Sequence, residues 1–144
     1  MTNDLVLTRL RRFLLVIAGL LLLGTILELW FINHTGEAVQ WLPFILSGAG
    51  LVVVGAALLR PHRAMLLTLR GVMSVVTLGS LFGVIEHVEN NIGFVLEIRP
   101  NAAFDQIVQG ALGGANPLMA PGMLGLAAVL AIAATYYHPA LKGR

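Results

Sequence analysis

The chain has 144 residues, of which 58% are hydrophobic and only 11% carry a charged side chain. Soluble domains carry about 25% charged residues, whereas this chain has a mean hydropathy of +0.88. Lipid is therefore the simplest solvent for so much apolar surface. The formal net charge of +2 comes without a dense block of Lys and Arg, which argues against a nucleic-acid partner. The absence of cysteine excludes disulfides and thiolate metal sites.

Four apolar stretches are long enough to cross a membrane as helices, which takes about 20 residues each. They cover residues 13–31, 41–59, 64–85 and 118–137. They predict an all-α polytopic membrane protein with a single transmembrane domain, residues 1–144. Short connections after the first two spans favour an up-down-up-down four-helix bundle. A long outer loop, residues 88–117, separates the third span from the fourth.

The outer loop contains a short segment with helical periodicity. Its apolar residues recur at helical spacing, at Phe104, Ile107, Val108 and Leu112. Asn101 can cap the start of a helix, Asp105 suits its positive end, and Gly113 with Gly114 can stop it. We expect a short amphipathic helix that lies on the outer interface or over the bundle mouth. The plainer alternative is that it only covers helix ends.

The basic residues fall on one side of the predicted spans. Eight of the nine Lys and Arg residues lie on that side: Arg9, Arg11, Arg12, Arg60, Arg63, Arg70, Lys142 and Arg144. Basic residues are enriched on the cytoplasmic side of membrane proteins. We therefore expect both termini in the cytoplasm. Arg70 lies deeper, and we favour snorkelling of its side chain to the interface over a role as buried counter-charge.

Small residues mark the faces on which membrane helices approach one another closely. The third span carries Gly79-x-x-x-Gly83, and the fourth carries Gly122 and Gly125. These faces predict packing within one bundle or contact with a second subunit or a membrane-protein partner. The sequence leaves both interpretations open.

The densest polar cluster lies at the outer end of the third span, in residues 86–91. Carboxylates and imidazoles can bind a divalent metal through N and O ligands, or accept a cationic substrate. The alternative is a solvated helix end, in which Asn90 and Asn91 end the span. The candidate metal ligands are four residues at similar depth: Glu28, Glu86, His87 and Glu89.

The remaining histidines could pair across helices. His34, which Glu37 follows in the first outer loop, lies on the same side as His87, and His62 and His138 lie on the other. Such pairs can ligate haem. None lies in the middle of a span, so the sequence disfavours haem.

Two segments, residues 87–101 and 115–141, resemble a family of small bacterial four-helix membrane proteins. Its pattern is H-x-E-x-N-x-x-F-x-L-E before a Pro, then APG at the start of the last span and T-Y-x-H-P at its end. Asn91 matches the family's Asn, whereas Asn90 stands in place of Gly. The resemblance implies this topology and the bacterial inner membrane, and it implies no activity. The other matching residues are His87, Glu89, Phe94, Glu97, Pro100, Ala120, Pro121, Gly122, Thr135, Tyr136, His138 and Pro139.

These patterns predict a non-enzymatic membrane protein that assembles with itself or a partner. Its outer acidic and histidine site would bind a cation or a partner. One alternative is a small transporter or channel subunit, although few polar residues lie at mid-depth. Another is an outer-face metal-dependent enzyme with Glu86 or Glu89 as general base. The sequence has no nucleophile elbow, P-loop or dinucleotide fingerprint.

Overall fold

A computed structural model describes residues 3–142, so Arg144 of the basic set lies outside the described residues. Within this range the chain contains helices and no strand, which confirms the all-α prediction. Short 3₁₀ helices, Ala38–Trp41 and Pro139–Leu141, flank the second and last α-helices. The five α-helices are α1 (Asn3–Phe31), α2 (Leu42–Leu59), α3 (Arg63–Ile98), α4 (Phe104–Gly113) and α5 (Met119–Ala133).

Four of the helices form a bundle. α1 packs against α2 and α5, and α3 packs against the same two helices. α1 and α3 share no contact among residues 3–142, so they stand at opposite corners of the bundle. Its core consists mainly of Leu, Val, Ala and Met side chains, among them Ala18, Leu22, Val54, Leu69, Met73, Val76, Leu124 and Ala128.

The outward faces of the bundle are apolar as well. Val52 is 71% exposed and Leu78 is 67% exposed, although both lie in the middle of helices. A helix that is hydrophobic all round suits a lipid environment, whereas a helix on the surface of a soluble bundle has a polar face. Three segments are long and apolar enough to cross a membrane: α1, residues 38–59 with α2, and α3.

The fourth apolar helix is short. α5 has 15 residues, or about 22 Å at 1.5 Å per residue, against a hydrocarbon core of about 30 Å. Residues 134–137, which we predicted to be helical, form turns. Tyr137 adopts a left-handed conformation with φ of 51°, which an α-helix does not accommodate. The described helices therefore include three of membrane-spanning length and one shorter apolar helix.

The third helix is much longer than the predicted span. α3 has 36 residues, or about 54 Å, and it continues past Asn90 and Asn91 to Ile98. Polar residues lower hydropathy, but they do not break a helix, and Gly93 costs only about 1 kcal/mol. The helix ends at Arg99 because the residue before Pro100 is driven out of the helical region. The first part of the predicted outer loop is therefore helical.

α4 packs antiparallel along the C-terminal part of α3. Gly110 contacts Val95, and Gly114 contacts Asn91, so the two chains run in opposite directions. Among residues 3–142, α4 contacts no helix other than α3. The helix thus extends α3 as a hairpin rather than lying across the bundle mouth. It begins after Ala103, whose N–H donates to Gln106 Oε1 at 3.2 Å, and not at Asn101.

The four glycines that we assigned to packing differ in their surroundings. A Cβ on Gly79 would collide with Leu46, and one on Gly125 would lie 2.5 Å from Ser80 Oγ. A Cβ on Gly83 would lie 3.1 Å from Pro121 Cβ. These three positions therefore bring α3 close to α2 and α5. Gly122 has no neighbour within 4 Å of an added Cβ.

Candidate functional site

A cavity of about 400 Å³ opens at the end of the bundle where α1 ends and α5 begins. Its walls come from the end of α1, the connection to α2, the middle of α3, residues 115–117 and the first turns of α5. Leu46, Gly79 and Leu124 line its apolar part. The titratable residues in its lining are Glu28, His34, Glu37, Glu86 and His87.

The end of α1 positions His34. The N–H of His34 donates to the carbonyl of Leu29 at 2.9 Å, and that of Asn33 donates to Trp30 at 3.2 Å. Asn33 has φ of 52°. These are the two hydrogen bonds and the left-handed residue of a Schellman helix end, in which Asn is tolerated better than most residues. The chain therefore reverses over the end of α1 and carries His34 to the cavity.

Gln40 fixes the rest of this connection. Its side-chain oxygen accepts hydrogen bonds from the N–H groups of Gly36, at 2.8 Å, and Glu37, at 3.3 Å. The loop that holds Glu37 is thus tied to the 3₁₀ helix in front of α2. Gln40 also lines the cavity. Glu37 is exposed, and it lines the same cavity as Glu28 of α1.

One stripe of α3 lines the opposite wall. The lining residues are separated by three or four positions, as expected for one helix face. Glu86 and His87 lie in this stripe, whereas Glu89 lies outside it and is exposed. The structure therefore brings together three of the four predicted ligands and leaves Glu89 apart. The stripe consists of Gly79, Phe82, Gly83, Glu86, His87 and Asn90.

His87 is fixed by the segment that precedes α5. Its Nδ1 lies 2.9 Å from the carbonyl oxygen of Pro117. A carbonyl oxygen only accepts, so Nδ1 carries the proton of this hydrogen bond. In the neutral ring, Nε2 is then an acceptor. His87 can therefore accept a hydrogen bond from a donor in the cavity.

Asn91 holds that segment in place. Its side chain donates to the carbonyls of Ala111, at 3.2 Å, and Asn116, at 2.9 Å. Its Oδ1 accepts from the N–H and the side-chain amide of Asn116. Asn91 is 1% exposed. These hydrogen bonds use both donors and the acceptor oxygen of its side-chain amide, so they replace the hydrogen bonds that the amide would make to water. The network connects α3 to the residues that place the Pro117 carbonyl beside His87.

The cavity is acidic at neutral pH. Three carboxylates line it, and none of its lining residues within 3–142 is Lys or Arg. Burial lowers the pKa of the His34 imidazole below its ordinary value, and the nearby His87 lowers it further. His34 is therefore neutral at pH 7 and adds no positive charge that would offset the carboxylates.

A metal site is less well supported by the geometry. Among residues 3–142, no group of three or more Asp, Glu and His side chains is arranged so that it could hold a metal ion. The divalent metal that we predicted at Glu28, Glu86, His87 and Glu89 therefore stays a prediction. His62 and His138 do not line this cavity, and His138 lines a different one.

No sequence pattern indicated that several of these residues line the cavity. Gln40 lies in a connection without a recognisable motif, and residues 115–117 lie far from α3 in the chain. Their role depends on the Asn91 network, which joins positions 25 residues apart. Helical spacing places Glu86 and Glu89 on one face of α3. It does not indicate which neighbouring helix each of these residues meets.

Comparison of the chain with protein-family models, with curated proteins and with solved structures found no match. The site is therefore interpreted from its own geometry.

Proposed function

We propose that the chain is an integral membrane protein in which α1, α2, α3 and α5 form four spans of one transmembrane domain. The apolar outward faces of these helices support it. A short turn, residues 60–62, joins α2 to α3, and α5 is extended at both ends by apolar residues, Leu118 and Ala134. The basic residues at one end support cytoplasmic termini. Together with the resemblance to bacterial proteins, these features support a location in the bacterial inner membrane.

We further propose that the protein is not an enzyme and that its outer cavity binds a small organic cation. The observation that carries this proposal is that one cavity gathers three carboxylates and two imidazoles from α1, the following loop and α3. Carboxylates attract a cation, and Nε2 of His87 can accept a hydrogen bond from an ammonium group. The apolar part near Leu46 and Leu124 suits the carbon atoms of such a ligand.

The size of the cavity favours an organic cation over a bare metal ion. Small-molecule sites are about 300–1,000 Å³, and this cavity of about 400 Å³ lies in that range. A metal ion needs at least three ligands that converge within about 2–2.6 Å. No such group is present among residues 3–142.

The alternative of a channel or transporter subunit has less support. Between the outer cavity and the inner one lies a layer of buried apolar side chains, including Leu22, Val54, Leu69 and Met73. A hydrated path would have to cross this layer. Within residues 3–142 the Ser47 hydroxyl is buried without a hydrogen-bond partner, and a single hydroxyl does not make a path.

The proposal is tested by measuring cation binding to the full chain in detergent by isothermal titration calorimetry. The probes are choline, putrescine and Mn²⁺. We expect one of the ammonium probes to bind and Glu86→Gln to weaken that binding by about tenfold, because a charge-assisted contact is lost. Glu89→Gln is the matched control, since it removes the same charge from the same helix outside the cavity. Equal effects of the two substitutions, or no binding of either ammonium probe, would refute the proposal.

Self-assembly or contact with a membrane partner is also part of the proposal. Gly48 and Gly55 lie seven residues apart on α2, and Gly122 lies on α5. An added Cβ on any of them would have no neighbour within 4 Å in the described part of the chain, residues 3–142. Such positions allow a second helix to approach closely. Native mass spectrometry of the protein from its own membrane measures the number of subunits, and a monomer without partners would contradict assembly.

A further inference from the structure

A second cavity, of about 330 Å³, lies at the opposite end of the bundle. It is formed by the second to fourth turns of α1, the end of α2, the start of α3 and the residues that follow α5. Its apolar part is lined by Leu15, Ala57, Leu58 and Leu66. Its polar lining residues are Thr8, Arg11, Arg12, Thr135 and His138.

This cavity has the opposite charge to the outer one. Two guanidinium groups line it, and no carboxylate does so among residues 3–142. Glu28, Glu37 and Glu86 all lie around the other cavity. Guanidinium groups in a partly enclosed, apolar cavity attract anions more strongly than they do in water.

Arg11 has two roles in this region. Its Nε and Nη2 donate to the carbonyl of Tyr136, at 3.3 and 3.4 Å, and Nη2 also donates to Tyr137 at 3.0 Å. These bonds satisfy two carbonyls in the turn that follows α5. Nη1 of Arg11 takes no part in them, so it can still donate to a ligand.

Arg12 and His138 supply further donors. Arg12 has no hydrogen-bonded or ionic partner within residues 3–142. Nδ1 of His138 accepts the N–H of Ala140 at 3.1 Å, so the neutral ring carries its proton on Nε2. Burial and the charge of Arg11 lower the pKa of His138, which keeps this neutral form at pH 7. Donors thus reach the cavity from two sides, α1 and the segment after α5.

We propose that the inner cavity binds a phosphate group, either in the headgroup of an anionic phospholipid or as free phosphate. Arg12, Nη1 of Arg11 and Nε2 of His138 donate to its oxygens, because guanidinium groups match phosphate geometry. The apolar lining next to these donors suits the glycerol and the first acyl carbons of a lipid. Basic pockets between membrane helices on the cytoplasmic side are known to hold such headgroups. This inference does not depend on cation binding at the outer cavity.

The test uses the full chain in detergent with equal amounts of phosphatidylglycerol and phosphatidylcholine, and native mass spectrometry measures which lipid is retained. We expect retention of phosphatidylglycerol, and a weakening of about tenfold in Arg12→Gln because a charge-assisted hydrogen bond is lost. Arg63→Gln is the matched control, because Arg63 lies at the same end and does not line the cavity. Arg12→Lys keeps the charge and is expected to restore part of the binding.

A second measurement separates the two sources of phosphate. Thermal melting of the same proteins is recorded in phosphatidylcholine alone, with and without inorganic phosphate. A phosphate-dependent rise in melting temperature that Arg12→Gln removes, without a preference for phosphatidylglycerol, assigns the cavity to free phosphate. Unchanged melting of Arg12→Gln without phosphate shows that the variant folds. Binding of neither phosphate species, or equal weakening by Arg63→Gln, overturns the proposal.

Discussion

Asn91 of α3 and Asn116 of the α4–α5 connection are joined by three hydrogen bonds, at 2.9, 2.9 and 3.1 Å. Asn91 is almost fully buried, and a fourth bond joins it to the carbonyl of Ala111. The bonds hold the connection against the C-terminal part of α3. They also place the Pro117 carbonyl next to His87, so the wall of the outer cavity depends on a residue that does not line it.

Replacement of Asn91 by Ala should lower the free energy of unfolding by about 3 kcal/mol, because it leaves polar groups of Asn116 and Ala111 without partners. Asn90→Ala is the control, since Asn90 is exposed, and it should change the stability by less than about 0.5 kcal/mol. Denaturant-induced unfolding in detergent measures both. Equal stability of the two variants would contradict the role given to Asn91.

Much of the helical architecture could be predicted from the sequence, because hydropathy and helix-ending residues are local signals. The predicted apolar stretch, residues 41–59, agrees with α2 to within one residue, because the run without a charged side chain ends at Arg60. The end of α3 was placed too early. Hydropathy reports where a helix meets water, whereas the helix itself ends only where Pro100 excludes it.

The contacts between helices could not be predicted in the same way. Arg70 and Thr135 are 65 residues apart in the chain, and nothing in either local pattern indicates the other. Glu86 and Glu89 share a helix face by spacing alone, yet only Glu86 meets the cavity. The packing of α1, α2 and α5 around α3 determines which neighbouring helix each face of α3 contacts.

The close approach of α3 and α5 gives a matched pair of substitutions. A Cβ on Gly125 would lie 2.5 Å from Ser80 Oγ, which donates to the Pro121 carbonyl at 2.6 Å. Gly125→Ala should therefore destabilise the protein by about 1–3 kcal/mol. Gly122→Ala, on the same helix with open space around it, should be neutral or stabilising by up to about 1 kcal/mol. Thermal melting in detergent measures both, and equal destabilisation would show that Ser80 does not limit the approach.

The protonation of His34 should make stability depend on pH. Its pKa is lowered in the folded protein from the ordinary value of 6.5, so the unfolded chain binds the proton more readily. Stability is then fully present above pH 6.5 and falls as the pH drops through the lowered pKa. His34→Gln should reduce the loss of melting temperature between pH 7.5 and pH 5, relative to the parent protein. An unchanged pH dependence would contradict this assignment.

The same titration should affect cation binding. A proton on His34 adds positive charge to the cavity that Glu28, Glu37 and Glu86 make acidic. The affinity for a bound ammonium probe should therefore fall below pH 6.5, and His34→Gln should flatten this dependence. Calorimetric titrations of the probe at pH 7.5 and pH 5.5 measure it. A steeper dependence in His34→Gln than in the parent protein would exclude His34 as its source.

Arg70 is bound to Thr135 and, within residues 3–142, pairs with no carboxylate. Its Nε donates to Thr135 Oγ1 at 2.7 Å, and its Nη2 donates to the Thr135 carbonyl at 3.4 Å. The Thr135 hydroxyl in turn donates to the carbonyl of Ile132 at 2.7 Å. A cation at the carboxyl end of a helix is stabilised by the helix dipole. The charge of Arg70 thus anchors the end of α5 to α3.

A double-mutant cycle should detect this anchor. Arg70→Met and Thr135→Val should each destabilise the protein, and the double variant should lose about 1–3 kcal/mol less than the sum, because the shared hydrogen bond can be lost only once. Arg63→Met with Thr135→Val is the control cycle, because Arg63 is exposed and is not among the hydrogen-bond partners of Thr135 within residues 3–142. Its effects should add within about 0.5 kcal/mol. Additive effects in the Arg70 cycle would show that the hydrogen bond to Thr135 does not stabilise the fold, and that Arg70 acts through its hydrocarbon stem alone.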